Sequence, residues 1–281
     1  RRVVLSTLLV ACTLCLYSKR NFHMVYQTIT LDITNGVGVI TMNRPDVMNA
    51  LNSKMRLEIS DAIKSAQNIA RVIVLTGAGR CFCSGQDLID GGSAATLDLE
   101  ATLRDEYVPM LKAVFDCKVP IIAAVNGPAA GAGANLALAA DVVIASHDAF
   151  FLQAFTRIGL IPDAGGTYWL PRQIGVARAM GASLFADKIS AQRAAEWGMI
   201  YEAKPAEGFD AYWRGRAAEL AQGPTIAFQH LTTAIRKSLE NTLDEQLSLE
   251  AKLQGKCGQT HDFKEGIMAF LEKRIPNFEG H

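Results

Sequence analysis

Short, mostly apolar runs recur through the first two-thirds of the chain and then stop. Residues 37–42, 72–75, 121–125 and 141–145 are rich in Val, Ile and Ala and too short for free-standing helices, so each predicts a strand. Residues 25–32 alternate apolar and polar, and Asn35-Gly36 separates them from residues 37–42, which predicts a β-hairpin. Helical spacing falls between these runs. Residues 53–66 place Met55, Ile59, Ala62 and Ile63 on one face, behind Asn52 or Ser53 as the cap. Residues 97–117 predict a helix with a kink or break at Pro109. Gly131-Ala132-Gly133 forms a small-residue turn ahead of a helix over residues 134–140. Thr167 is expected to cap a short helix, and Ser190 one that runs to Trp197 and stops at Gly198. Residues 89–96, rich in Gly, Ser and Ala, predict a mobile loop. From residue 209 onward only helices are expected, broken near Gly223-Pro224 and Gly258. The pattern is α/β, with strands first and helices last.

Composition narrows the possibilities. With 49% hydrophobic and 20% charged residues, 281 residues can bury a sizeable core as one large domain or two small ones. Lys+Arg and Asp+Glu both number 28, which leaves no basic field for nucleic acid and no polybasic patch for a membrane. Six cysteines in so long a chain argue against a disulfide framework, and Cys81 and Cys83 read as buried thiols. The five histidines, at 23, 147, 230, 261 and 281, lack metal-ligand spacing, so no metal is expected; His147 reads as an exposed turn residue. At the start, Arg1-Arg2 precede an apolar run over residues 3–17 that is similar to a signal-peptide core, with Cys12 in a lipoprotein-like context. It is shorter than the ~20 residues of a membrane span. The preferred reading of residues 1–23 is an extension ahead of a domain beginning near Met24, and the alternative is a targeting leader.

Candidate chemistry is sparse. Gly77-Ala78-Gly79 and Gly131-Ala132-Gly133 both start like a dinucleotide fingerprint, but Phe82 and Leu136 stand where the third glycine belongs. Ser84 lacks the preceding glycine of a nucleophile elbow. What remains is the turn over residues 83–88, the turn over residues 130–133, and Asp163 in a Pro/Gly-rich loop. A small-residue turn that opens a helix leaves N–H groups unpaired at the positive end of the helix dipole, where a developing oxyanion is stabilised. On spacing alone, both turns are more often structural than catalytic.

The order of the motifs adds to that reading. They comprise Asn43-Arg44-Pro45 with Asn49-Ala50-Leu51, Thr76-Gly77, and Phe82 through Leu88. Pro120 through Gly127, Ala130 through Gly133, Gly159 through Gly166, Ser190-Ala191 and Glu196-Trp197-Gly198 follow. In that order they resemble the crotonase superfamily, the enoyl-CoA hydratase and isomerase family. The resemblance implies a crotonase-like spiral of ββα units with a C-terminal helical trimerisation region. It divides the chain into the extension 1–23, an acyl-CoA-binding core 24–222, and a helical oligomerisation region 223–281. An acyl-CoA thioester is the implied substrate, with coenzyme A entering only as part of it and no separate cofactor. A homotrimer or hexamer in the cytoplasm is implied, with no nucleic-acid or membrane partner.

By position, the backbone N–H groups of Gln86 and Ala132 would receive the thioester oxygen. Asn135 and Phe155 stand where hydratases of the family carry glutamates, and Asp163 stands at a third position, used by isomerases. Arg44, Ala50, Gly85, Asp87, Leu88, Gly131 and Phe155 would surround the substrate. Arg44, Lys273, reaching over from a neighbouring subunit, and Arg274 are candidates for the coenzyme A phosphates. Gly85-Gln86-Asp87-Leu88, Gly159 through Asp163 and Asn241-Thr242-Leu243-Asp244 look like one branch, the ring-1,2-epoxyphenylacetyl-CoA isomerases of aerobic phenylacetate degradation. That likeness implies an isomerase with Asp163 as proton shuttle, which converts a ring epoxide to an oxepin and shifts enoyl-CoA double bonds. A hydratase working through Asp163, and a non-catalytic acyl-CoA-binding scaffold, are the alternatives.

Overall fold

The computed structural model describes residues 25–89 and 98–281. The 1–23 extension and nearly all of the 89–96 loop therefore lie outside the described residues. Strand β1 (Ile29–Thr34) pairs antiparallel with β2 (Val37–Met42) across the Asn35-Gly36 turn. Helix α1 (Ser53–Ala66) follows, capped by the Asn52 side chain, which accepts from the Met55 N–H, and leads into β3 (Val72–Gly77). A further helical stretch consists of α2 (Leu99–Thr102), a π-helical turn (Leu103–Tyr107) and α3 (Val108–Phe115). Pro109 lies just past the π-helical turn and has no N–H to give its ladder. The expected disturbance is thus a widened turn rather than a break.

Next come β4 (Ile121–Val125), β5 (Ala129–Ala130), α4 (Ala132–Leu138), β6 (Val142–Ser146) and β7 (Phe150–Leu152). A 3-10 turn (Ala154–Ile158) leads to α5 (Gly166–Phe185). The chain continues through β8 (Ile189–Ser190), α6 (Ala191–Glu196), β9 (Glu202–Lys204) and α7 (Phe209–Ala221). It closes with α8 (Thr225–Lys237), α9 (Leu243–Cys257) and α10 (His261–Glu272).

The larger sheet runs β1-β2-β3-β4-β6-β9, parallel from β2 onward, and the smaller runs β5-β7-β8. Residues 72–75 of β3 and all of β4 are apolar because both of their faces are covered. Val72, Val74 and Ile122 pack against Phe209, Trp213 and Ala217 of α7. Ile73, Leu75, Ile121 and Ala123 face the other way, toward Met55, Ile59 and Ile63 of α1.

Several expectations need correction. Strand β1 starts at Ile29 rather than residue 25, because the Gln27 and Thr28 N–H groups donate to the Glu58 carboxylate instead of to β2. Helix α4 begins two residues early, at Ala132, with Gly131 as its cap. Thr167 caps nothing: Gly165, at φ +82, is the N-cap of α5, and the Gly166 N–H already donates to the Asp163 carbonyl. The α5 stretch is long and bent at Gly175. Strand β9 has no counterpart in the apolar pattern, since Glu202-Ala203-Lys204 is a short polar edge. Ser190 does cap α6, and α8 starts just after Gly223-Pro224. Among the described residues no helix is long and apolar enough to cross a membrane.

Candidate functional site

The loops that follow β3 and β4 run side by side. Cys83 pairs in parallel with Ala129, and the Ala130 N–H donates to the Cys83 carbonyl at 3.0 Å. Three residues further along each segment come Gln86 and Ala132. Gly85 lies at φ +97, and a Cβ there would stand 2.8 Å from the Ala130 carbonyl oxygen and 3.4 Å from the Ala132 nitrogen. Only a glycine lets the two turns approach this closely. The Gly85–Gln86 peptide is pinned at its carbonyl, which accepts from the Leu51 N–H at 2.8 Å. A trans peptide points its N–H opposite to its C=O, so the Gln86 N–H turns away from Leu51. Ala132 is the first residue of α4, behind Gly131 at φ 52 and ψ −129, and its N–H is one of the helix's orphan donors. Among the described residues, neither the Gln86 nor the Ala132 N–H is paired with an acceptor. The two free donors thus sit on adjoining turns at the C-terminal ends of parallel strands, where open α/β sheets bind ligands.

Asp163 lies between the 3-10 turn and α5. Its carbonyl accepts from Asn135 Nδ2 at 2.7 Å and from the Gly166 N–H at 2.8 Å. Its carboxyl lacks such ties at one oxygen. Oδ1 is buried with no hydrogen-bond partner among the described residues, and burial pushes the pKa from 3.8 up to about 6. The Tyr107 phenol is also buried and held above its ordinary pKa, first by that burial; Cys83 and Asp163 add to the rise, so both lie within its electrostatic reach. Asn135 is fully buried, and its Oδ1 accepts from Gln153 Nε2 at 2.9 Å. Both ends of that amide are therefore committed, one of them to the Asp163 loop. Phe155 is buried, with its ring edge 3.8 Å from where a Gly131 Cβ would be. Neither Asn135 nor Phe155 can exchange a proton.

The remaining expected site residues divide into three groups. Arg44 Nη1 donates to the Ala50 carbonyl at 2.7 Å and to Asp87 Oδ2 at 2.8 Å. Arg44, Ala50 and Asp87 therefore form one tie between the Asn43-Arg44-Pro45 corner and the Gln86 loop. The Arg44 guanidinium is thereby paired with the Asp87 carboxylate. Leu88 is exposed at the rim of the same loop. Lys273 is exposed at the end of α10, and the tail beyond it is held where Arg71 donates to the Phe278 carbonyl at 3.0 Å. Arg71 precedes β3, whereas Gln86 follows that strand, so the tail is held at the end of β3 away from the Gln86 turn. Arg274 is taken up by Glu265 and Glu272.

Three residues escaped the sequence reading. Arg56, Glu106 and Tyr107 converge behind Gln86, whose side-chain oxygen accepts from Arg56 Nη1 at 2.9 Å and from the Tyr107 hydroxyl. The available signal was a charged Arg56 within the apolar stripe of α1. The fold also gathers His261, Glu279 and His281 within 4.8 Å of one another on the surface, through a tail that folds back on α10. An apolar groove of about 1220 Å³ runs between α8, α9 and α10, lined by Leu231, Leu247, Ile267 and Phe270 among others.

The chain is similar to known proteins over most of its length. The enoyl-CoA hydratase/isomerase family matches residues 32–281. The chain belongs to the enoyl-CoA hydratase/isomerase family. Its fold is the crotonase fold, and the family's enzymes bind acyl-CoA thioesters. Among its relatives is a Rhodobacter capsulatus protein named probable enoyl-CoA hydratase, 60% identical over 92% of this chain and 100% of the other. The 1,2-epoxyphenylacetyl-CoA isomerase of Escherichia coli K12 is 42% identical over 88% of this chain and 97% of its own length. The crystal structure of an enoyl-CoA hydratase from Bacillus anthracis superposes with a TM-score of 0.84 at 33% identity, covering 91% of this chain and 100% of that one.

Proposed function

We propose that this chain is an acyl-CoA isomerase in which Asp163 moves a proton between two carbons of a thioester-activated acyl group. The thioester oxygen would lie between the Gln86 and Ala132 N–H groups. As the Asp163 carboxylate removes a proton from carbon, the electron pair flows to that oxygen as an enolate, and both donors bind it more tightly than the neutral carbonyl. Asp163, now protonated, exchanges its proton with solvent and protonates a different carbon. The double bond shifts, and no water is gained or lost. The observation that carries this reading is the Asp163 carboxyl itself: Oδ1 has no partner among the described residues, and the pKa of about 6 suits a group that must both take and give a proton near neutral pH. Adding water is more naturally the work of two such groups, and positions 135 and 155 supply none.

The preferred substrate in this reading is a ring-1,2-epoxyphenylacetyl-CoA, supported by the printed name of the Escherichia coli relative and by the aromatic wall at Phe155. A second reading, hydration of a 2-enoyl-CoA, is supported by the name of the Rhodobacter relative. The proposal includes residues 24–222 as the acyl-CoA-binding core and residues 223–281 as an oligomerisation region, through which Lys273 of one subunit would reach coenzyme A bound to another.

Incubation with a 3-enoyl-CoA in deuterated water separates the readings. The isomerase yields the 2-enoyl isomer with deuterium on carbon. Accumulation of a 3-hydroxyacyl product from either isomer would replace it with the hydratase, and unchanged substrate would leave only a binding role.

A further inference from the structure

The Gln86 side chain points into a buried polar knot rather than into solvent. Its Oε1 accepts from both Arg56 Nη1 and the Tyr107 hydroxyl. The same Arg56 Nη1 donates at 2.6 Å to the carbonyl of Leu51, the residue whose N–H pins the Gly85–Gln86 peptide. Arg56 is only 1% exposed, and its charge is met by Glu106 Oε2 at 2.8 Å from Nε and 2.6 Å from Nη2. Its guanidinium carbon also lies 4.8 Å from the centre of the Tyr107 ring. Glu106 and Tyr107 are consecutive residues at the end of the π-helical turn, yet both converge on Arg56. A wide turn of this kind is found most often at functional sites, where it re-aims side chains that a regular helix would spread apart. A buried guanidinium needs both its charge and its donors satisfied, so this knot is costly to build unless it is complete.

Gln86 has a need for such an anchor. It follows Gly85, whose φ of +97 is open to glycine, so the Gln86 N–H is held from two sides, by the Leu51 N–H on the Gly85 carbonyl and by the knot around its own side chain. We propose that Tyr107 and Arg56 are positioning residues that hold the Gln86 side chain and thereby aim its backbone N–H at the thioester oxygen. The π-helical turn exists to deliver Tyr107 to Gln86 and Glu106 to Arg56. This inference rests on the oxyanion role proposed above for the Gln86 N–H.

The test compares Tyr107→Phe, Gln86→Ala and the double variant in steady-state isomerisation of a 3-enoyl-CoA, with Asp163→Asn alongside. Gln86→Ala keeps the backbone donor and removes only its anchor. Each single variant is expected to lose about tenfold in kcat with KM within about twofold, because the donor is needed more in the transition state than in the ground state. The double variant should be no slower than the slower single, since both cut the same tether. Parental kcat in Tyr107→Phe, or losses that multiply in the double variant, would overturn the positioning role. An inert Asp163→Asn beside a fully active Tyr107→Phe sinks this inference alone, whereas a fully active Asp163→Asn sinks the proposed function.

Discussion

Asp163 holds its proton more tightly in the folded chain than in the unfolded one, because burial raises its pKa from 3.8 to about 6. Between those two values the native state binds more protons than the unfolded state, so this group's contribution to stability falls as pH rises from about 4 to 6. Its full cost remains at pH 7. Asp163→Asn is therefore expected to melt higher than the parent at pH 7.5, with the gap closing toward pH 4; thermal scans at the two pH values check this. Under the proposed function, catalysis by the carboxylate would have the opposite pH dependence. The isomerase kcat/KM of the free enzyme should rise with pH through about 6 and then level off. Asn135 belongs to the same account, since its amide supports the loop through the Asp163 carbonyl. Asn135→Ala would strand the buried Gln153 Nε2 donor and cost about 1–3 kcal/mol, measurable by urea unfolding. The sequence made Asp163, Gln86 and Ala132 candidates but hid what Asn135 does. A buried amide that supports a loop from another element has no local pattern.

At the scale of elements, legibility followed the periodicity. Helix α1 and strand β2 lie at the residues where the apolar spacing predicts them, as does the Asn52 cap. A short polar edge such as β9 offers no such signal, and a helix start set by a glycine in an unusual conformation, as in α4, defeats a reading based on propensity. The π-helical turn was partly visible through Pro109, but the convergence of Glu106 and Tyr107 on Arg56 depends on tertiary packing. Arg71 shows the same limit. Its guanidinium donates to Thr225 Oγ1 and to the Gly223 and Phe278 carbonyls, joining the start of β3 to the C-terminal helices. Arg71→Ala should loosen that junction and expose residues 223–281 to faster limited proteolysis, while the sheet and its core stay protected.

Across the whole molecule, the sheet with α1 and α7 builds a core, whereas the last three helices leave much of their apolar surface open. Leu231, Leu247, Phe263 and Phe270 are exposed large apolar residues on α8, α9 and α10, around the 1220 Å³ groove. Contiguous apolar surface of this kind is rare on a lone soluble chain. Under the proposed oligomerisation role, sedimentation should give a trimer or a multiple of it. Phe270→Glu should shift the population toward smaller species and raise KM for the CoA thioester, if Lys273 serves a neighbour's site. A variant that remains fully assembled would remove Phe270 from the interface. The family's imprint on the sequence is clear at this scale, because its motifs are spread from Asn43 to Gly198. The reaction was less so, because it turns on which positions lack a carboxylate.

Proton transfer by Asp163 alone is the central claim, and deuterium wash-in tests it most directly. Parent and Asp163→Asn are each incubated with a saturating 3-enoyl-CoA in deuterated water, and the label on carbon is followed together with binding of the thioester. The expected result is rapid label uptake with double-bond migration in the parent and none in Asp163→Asn, although the variant still binds the thioester. Label uptake at the parental rate in Asp163→Asn would contradict it.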